Sequence, residues 1–189
     1  MKNNELKPAF SLIELIVSMS IIVMLTVLFL ANYRDSNKRT DLVMTAQVMV
    51  TDIRYAQSNT LGLISYGDTF PPGGWGLYVS SEESLNNRYT IFADLNDNKL
   101  YNLGEADESN GGRTIFFPKN IQIKEINIEG GNVGDVSSAD ITFLPPDPTT
   151  RIRVNGSEVV IAHIVLENIA SGDISTVYVN FLGLIEVEE

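Results

Sequence analysis

The chain has 189 residues, with 24 acidic against 13 basic side chains and a net charge of −11. That balance opposes binding to polyanions, and the absence of cysteine excludes disulfides, thiolate metal sites and thiol catalysis. The length leaves room for one membrane helix and one globular domain of about 130 to 150 residues.

Residues 1–9 form a short leader with Lys2 and Lys7, and they run into an apolar stretch, residues 10–33, whose only charge is Glu14. A secretory signal places its cleavage site after an apolar core of roughly 7 to 15 residues. Here the apolar stretch is much longer and the expected cut lies before it, so the hydrophobic helix stays with the mature protein. As a helix it would be about 36 Å long at ~1.5 Å per residue, enough to cross a hydrocarbon core of ~30 Å. Lys2 and Lys7 mark the leader as the cytoplasmic side, with Arg34, Lys38 and Arg39 as the opposing charges at the far end. A carboxylate inside such a segment costs about 2.5 to 3.5 kcal/mol on insertion scales, so Glu14 is expected to have a function and a cationic partner.

The polar run over residues 34–41 contains no Pro or Gly, so the helix is expected to continue through residues 34–62 as an amphipathic segment. Leu42, Ala46, Met49, Ile53 and Ala56 recur at steps of three or four and draw one apolar stripe. Gln47, Asp52 and Gln57 are placed on the opposite face, and Leu61-Gly62 supplies the stop.

Beyond Gly62 the period becomes alternating. Strands are predicted over residues 75–80, 89–95, 114–118, 121–128, 140–144, 151–154, 159–166 and 176–187. Pro71-Pro72-Gly73-Gly74, Gly111-Gly112, Gly130-Gly131, Pro145-Pro146-Asp147-Pro148 and Asn155-Gly156 separate them, the last as a hairpin turn. The fold class is therefore α+β: a long N-terminal helix, membrane-spanning in its first half, packed against antiparallel sheet, with residues 63–189 as a β-rich exported domain.

The string Pro8-Ala9-Phe10-Ser11-Leu12-Ile13-Glu14-Leu15 closely resembles the processing site of type IV prepilins and type II secretion pseudopilins, a family that more often has Gly where Ala9 stands. Three further segments resemble the GspH/FimT-type minor pseudopilins and minor pilins. They are Arg54-Tyr55-Ala56-Gln57-Ser58, Trp75-Gly76-Leu77-Tyr78-Val79, and Tyr89-Thr90-Ile91-Phe92-Ala93-Asp94 with its Asn/Asp-rich turn. The resemblance implies a pilin-like fold, cleavage after Ala9 by a prepilin peptidase and N-methylation of the new first residue, Phe10. It also implies a single-pass inner-membrane protein with a cytoplasmic N-terminus, handed by an inner-membrane assembly platform to a filament of other pilin or pseudopilin subunits. Glu14 would neutralise the Phe10 ammonium of a neighbouring copy, while lipid surrounds the helix before assembly. Whether the filament is a type IV pilus or a secretion pseudopilus stays open.

Asp94-Leu95-Asn96-Asp97-Asn98-Lys99-Leu100-Tyr101-Asn102-Leu103-Gly104-Glu105 has the ligand spacing of an EF-hand calcium loop, with Asp94, Asn96, Asn98, the Leu100 carbonyl, Asn102 and Glu105 as the ligand set. Lys99 stands where that loop needs Gly, and the flanks read as strands, so the alternative is a hairpin tip made of turn-forming Asn and Asp. Catalysis has no motif: His163, the only histidine, lies in an apolar strand and reads as structural, and Trp75 reads as core. No enzyme is expected.

Removal of residues 1–9 takes away Lys2, Lys7 and Glu5 and lowers the net charge by one, to −12. The C-terminal Glu186, Glu188 and Glu189 then oppose DNA capture, for which Arg151 and Arg153, on one strand face, are the only close basic pair in that region. The alternative to a filament subunit is a membrane-anchored exported module that recognises DNA, a surface or a secreted substrate, with or without calcium.

Overall fold

The computed structural model describes residues 11–130, 136–145 and 149–188, and of residues 31–37 the backbone alone. Helix α1 runs Leu12–Leu61, and the chain divides into two compact units at Asn37 and Lys38.

In the first unit the helix starts where Ser11 Oγ accepts the Glu14 N–H at 3.3 Å, an N-cap in sequence and geometry. Leu12–Leu30 is 19 residues long with mean hydropathy 2.6, long and apolar enough to cross a membrane. Its three hydroxyl side chains hide their donors on the helix itself. Ser18 donates to the Glu14 carbonyl at 2.7 Å, Ser20 to Ile16 at 2.9 Å and Thr26 to Ile22 at 2.8 Å. Such back-bonding lets a hydroxyl sit in an apolar environment without an unpaired donor.

The second unit, residues 38–189, is α+β. Among the described residues ten strands follow the helix: β1 (Trp75–Ser80), β2 (Arg88–Ala93), β3 (Arg113–Phe116), β4 (Ile121–Glu129), β5 (Ser138–Leu144), β6 (Thr149–Val154), β7 (Ser157–Val159), β8 (Ile161–Asn168), β9 (Ile174–Asn180) and β10 (Ile185–Glu188). They make a six-stranded sheet in the order β3-β2-β1-β5-β6-β7 and a four-stranded sheet in the order β10-β9-β8-β4, with every pairing antiparallel. Leu42, Ala46, Met49, Ile53 and Ala56 of the helix stripe are all buried, in one core with Trp75, Leu77 and Ile141 of the larger sheet and Ile123, Ile164 and Val177 of the smaller. Each of the larger side chains contributes about 1.5 to 3 kcal/mol by leaving water. Polar ties fix the helix along the sheets: Arg54 donates to the Ile185 carbonyl at 2.8 Å, and Thr60 Oγ1 accepts the Trp75 N–H at 2.8 Å. Trp75 is fully buried and spends its indole N–H on the Ile64 carbonyl at 2.9 Å.

Three sequence expectations need correction. Asp52 is not on a solvent face; it is 8% exposed, accepts the Tyr89 hydroxyl at 2.6 Å and pairs with Arg113. Asp52 stands three residues after Met49 and four before Ala56, so the helical period puts it at the edge of the stripe, where Tyr89 of β2 and Arg113 of β3 reach it. The helix stops at Leu61, as expected, and Leu63 (φ 51°) is the left-handed residue that follows it. The run over residues 159–166 breaks at Val160, where the chain leaves the larger sheet for the smaller. The run over residues 176–187 is two strands, folded back by a turn in which Asn180 Oδ1 accepts the N–H groups of Leu182 and Leu184, each at 3.0 Å.

The hairpin at Asn155-Gly156 forms as expected, joining Val154 to Ser157 with both turn residues at positive φ, 49° and 80°. Gly74 is also required: at φ +78° it passes so close to β5 that a Cβ would lie 1.9 Å from the Phe143 carbonyl oxygen.

Burial, and then the bond to Asp52, raise the Tyr89 pKa, so this phenol is a committed donor at any physiological pH. Replacing it (Tyr89→Phe) removes a hydrogen bond to a buried carboxylate, and urea unfolding should register a loss of about 1.5 to 3 kcal/mol. A loss under about 0.5 kcal/mol, the level of an ordinary surface change, would show that Arg113 alone satisfies Asp52.

Candidate functional site

The functional residues read from the sequence fall in two places. Ala9 and Phe10, the proposed cleavage and methylation positions, lie outside the described residues. Glu14 is in the first turn of α1 with its side chain exposed, and no described cation bonds to it. Every described side chain from Ser11 to Leu30 is exposed in this single chain, so Glu14 is a lone carboxylate on an otherwise uncharged stretch.

The second place is built on the face of the larger sheet that points away from the helix. Register places Thr114, Thr90, Tyr78, Asp140, Arg153 and Glu158 side by side in one row across six strands. The Asn/Asp-rich segment, residues 94–105, closes at its base, where the Ala93 N–H donates to the Glu105 carbonyl at 2.9 Å, and then folds back over this row as a strap. The Tyr101 N–H donates to Asp140 Oδ1 at 2.7 Å, and Arg153 donates to the Asn98 carbonyl at 2.9 Å. The Tyr101 ring packs against Tyr78 and Phe92, with centroids 5.3 and 5.5 Å away. The strap is thus held by the Tyr101 N–H, the Arg153 guanidinium and an aromatic cluster, and near its end by the Tyr66 hydroxyl, which donates to the Gly104 carbonyl at 2.8 Å.

Within the strap the expected calcium ligands do converge, but on one another. Asp94, fully buried, accepts the Asn98 N–H at 3.1 Å and the Lys99 N–H at 2.8 Å. Glu105 accepts the Leu95 N–H at 3.1 Å and the Asn102 N–H at 2.8 Å. The Asn96 side chain accepts the Asn98 N–H at 3.1 Å. At the centre sits the Asn102 amide nitrogen, 2.8 Å from the Leu100 carbonyl and 3.3 Å from both Asn98 Oδ1 and Glu105 Oε2. A donor therefore occupies the point where these three oxygens meet. Lys99 is turned to Asp97, and among the described residues no group of three His, Asp or Glu side chains is arranged to hold a metal ion. These bonds hold the tip together through the same side chains that the calcium spacing names as ligands. Gly73 makes room for the tip, since a Cβ there would lie 1.9 Å from Asp94 Oδ2.

The chain matches no family model, no curated protein and no solved structure. The site therefore has to be read from its own chemistry. Arg151 and Arg153 share a face, as alternation required. Arg151 pairs with Glu158 at 3.0 Å, and Arg153 also reaches the Gly156 carbonyl at 2.8 Å, so both guanidinium groups are engaged within the protein. His163 lies between Glu188 at 3.2 Å and Glu129 at 3.6 Å, edge-on to Tyr178.

Sequence reasoning missed Asp140. Its signal was a charged residue in the otherwise uncharged strand Ser138–Leu144, one hairpin before Arg153. Burial pushes its carboxyl up to about 6, with Asp94 and Glu105 adding to the rise and the Tyr101 N–H and Arg153 opposing it. Because the folded value lies above the unfolded one of about 3.9, the resulting stability is full below about pH 4 and is lost as pH rises through 6. In Asp140→Asn, which keeps an oxygen for Tyr101, unfolding free energy should lose this fall between pH 4 and 7. The variant should exceed wild type at pH 8 by on the order of 3 kcal/mol. Urea titrations at stepped pH check this, and parallel wild-type and variant curves would refute it.

Proposed function

We propose that the chain is a structural subunit, a minor pilin or pseudopilin. It would be cut after Ala9, methylated on Phe10 and assembled through its N-terminal helix with other pilin-type subunits. One observation carries the reading: a single carboxylate, Glu14, in the first turn of an exposed apolar helix directly behind a short cationic leader. Nothing in an isolated membrane helix favours a carboxylate there, because its insertion costs about 2.5 to 3.5 kcal/mol. Cleavage after Ala9 creates the compensating charge. The new ammonium at Phe10 is four residues before Glu14 in sequence, so copies offset by a small axial step would bring the cation of one to the carboxylate of the next. Methylation leaves that cation in place.

Within the filament, helices pack through apolar contact and the ion pair sets their axial register, since a buried pair tolerates misalignment poorly. The leader is assigned to the cytoplasm and residues 38–189 to the far side of the inner membrane. The prepilin peptidase and the assembly platform are the expected partners during maturation. An acidic surface and internally engaged arginines argue against DNA as the ligand.

Glu14→Leu should be inserted and cleaved as well as wild type, while its amount in sheared filaments falls at least about tenfold, the effect of roughly 1.4 kcal/mol at the assembly step. Glu14→Gln should behave in the same way, because it keeps shape and loses charge. Mass spectrometry of the membrane fraction reports cleavage and methylation, and immunoblots of the sheared fraction report assembly. Wild-type incorporation of both variants would refute the proposal.

A further inference from the structure

Beside the strap, the outer face of the larger sheet holds a cavity of about 460 Å³, inside the roughly 300 to 1,000 Å³ range of small-ligand sites. Its walls come from three strands and from the strap: Tyr78 of β1, Arg88 and Thr90 of β2, Thr114 of β3 and Tyr101 of the strap. Leu103, 96% exposed, stands at its rim.

The polar groups here are not all spent on the protein. Arg88 lies over the Phe116 ring, 5.5 Å from its centroid, and no described carboxylate pairs with it. The Tyr78 and Tyr101 hydroxyls make no hydrogen bond to any described residue, although Tyr101 is held in place by its main chain and by two neighbouring rings. Thr90 and Thr114 share one bond at 3.2 Å, which leaves one of their two hydroxyl hydrogens to give. Two tyrosine rings, a ring of hydroxyls and one planar cation are a definite chemical combination. The rings accept the C–H face of a saturated ring, the hydroxyls match a ring of hydroxyls, and the guanidinium presents a fork suited to one carboxylate.

We propose that this cavity binds a hexuronate, a sugar ring bearing one carboxylate, as the terminal unit of a glycan. The carboxylate lies on Arg88, the ring on Tyr78 and Tyr101, and the hydroxyls on Thr90 and Thr114. Capture at this cavity is independent of whether the helix enters a filament, and the full-length protein in zwitterionic micelles without sugar headgroups separates the two questions.

The probes are a glucuronate-terminated disaccharide and the neutral disaccharide of the same linkage, followed by calorimetry and saturation-transfer NMR. The uronate should bind saturably and the neutral sugar about tenfold more weakly. Arg88→Met should remove that difference, Arg88→Lys should retain part of it, and Tyr101→Leu should weaken both sugars alike. Should a variant fail to fold, wild type still decides: uronate affinity should fall with added salt while that of the neutral sugar does not. Equal binding of the two sugars, no saturable binding of either, or a salt-independent uronate would overturn the proposal.

Discussion

Each sheet of residues 38–189 has one strongly apolar face, and neither can stand alone with that face in water. The helix stripe from Leu42 to Ala56 is shared between them, and the remaining architecture follows from that sharing. Strand order, the position of Trp75 under the end of the helix and the burial of Asp52 are consequences of one helix closing one core. Hydrophobic burial alone would let the helix slide, because it is not directional. The bonds from Asp52 to Tyr89 and Arg113, and from Arg54 to the Ile185 carbonyl, remove that freedom by tying one turn of the helix to partners well separated in sequence.

The outer face of the larger sheet is organised by an opposite rule. There the row from Thr114 to Glu158 is polar, and it is roofed by a segment rich in Asn and Asp instead of by apolar side chains. The strap closes because its own carboxylates and amides satisfy its main chain, and it docks through Asp140 and Arg153. Its grip therefore depends on the charge and protonation of Asp140 and Arg153. Tyr101 serves both sides of this arrangement, as an anchor of the strap and as a wall of the adjoining cavity.

The helix stripe was legible residue by residue, since a 3.6-residue period leaves little choice about which side chains face a core. Trp75–Ser80 was legible to the residue, and so was the Asn155-Gly156 hairpin, because turn chemistry fixes both ends of a short strand. The breaks at Val160 and at residues 181–184 were not. Alternation continues across both, and only the change of sheet or an asparagine-capped turn shows that the strand has ended. Asp52 and Asp140 were missed for one shared reason. A buried carboxylate is permitted by partners distant in sequence, Tyr89 and Arg113 for one and Tyr101 and Arg153 for the other, and local pattern carries no trace of them. The strap was visible as a cluster of oxygen side chains; that they would bond inward depended on the Asn102 amide finding three acceptors.

Val160 is the sole residue between β7 of one sheet and β8 of the other, and both of its main-chain groups are taken, its N–H by the Glu129 carbonyl and its carbonyl by the Phe181 N–H. A one-residue splice with no free valence carries force without slack. If one sheet were peeled from the helix, the pull would pass at once to the β4–β8–β9 ladder, where strain is spread over many parallel bonds instead of being absorbed in a loop. In a domain with no cysteine to rivet its parts, this splice ties the two sheets through the main chain alone, so a disturbance of one is passed directly to the other.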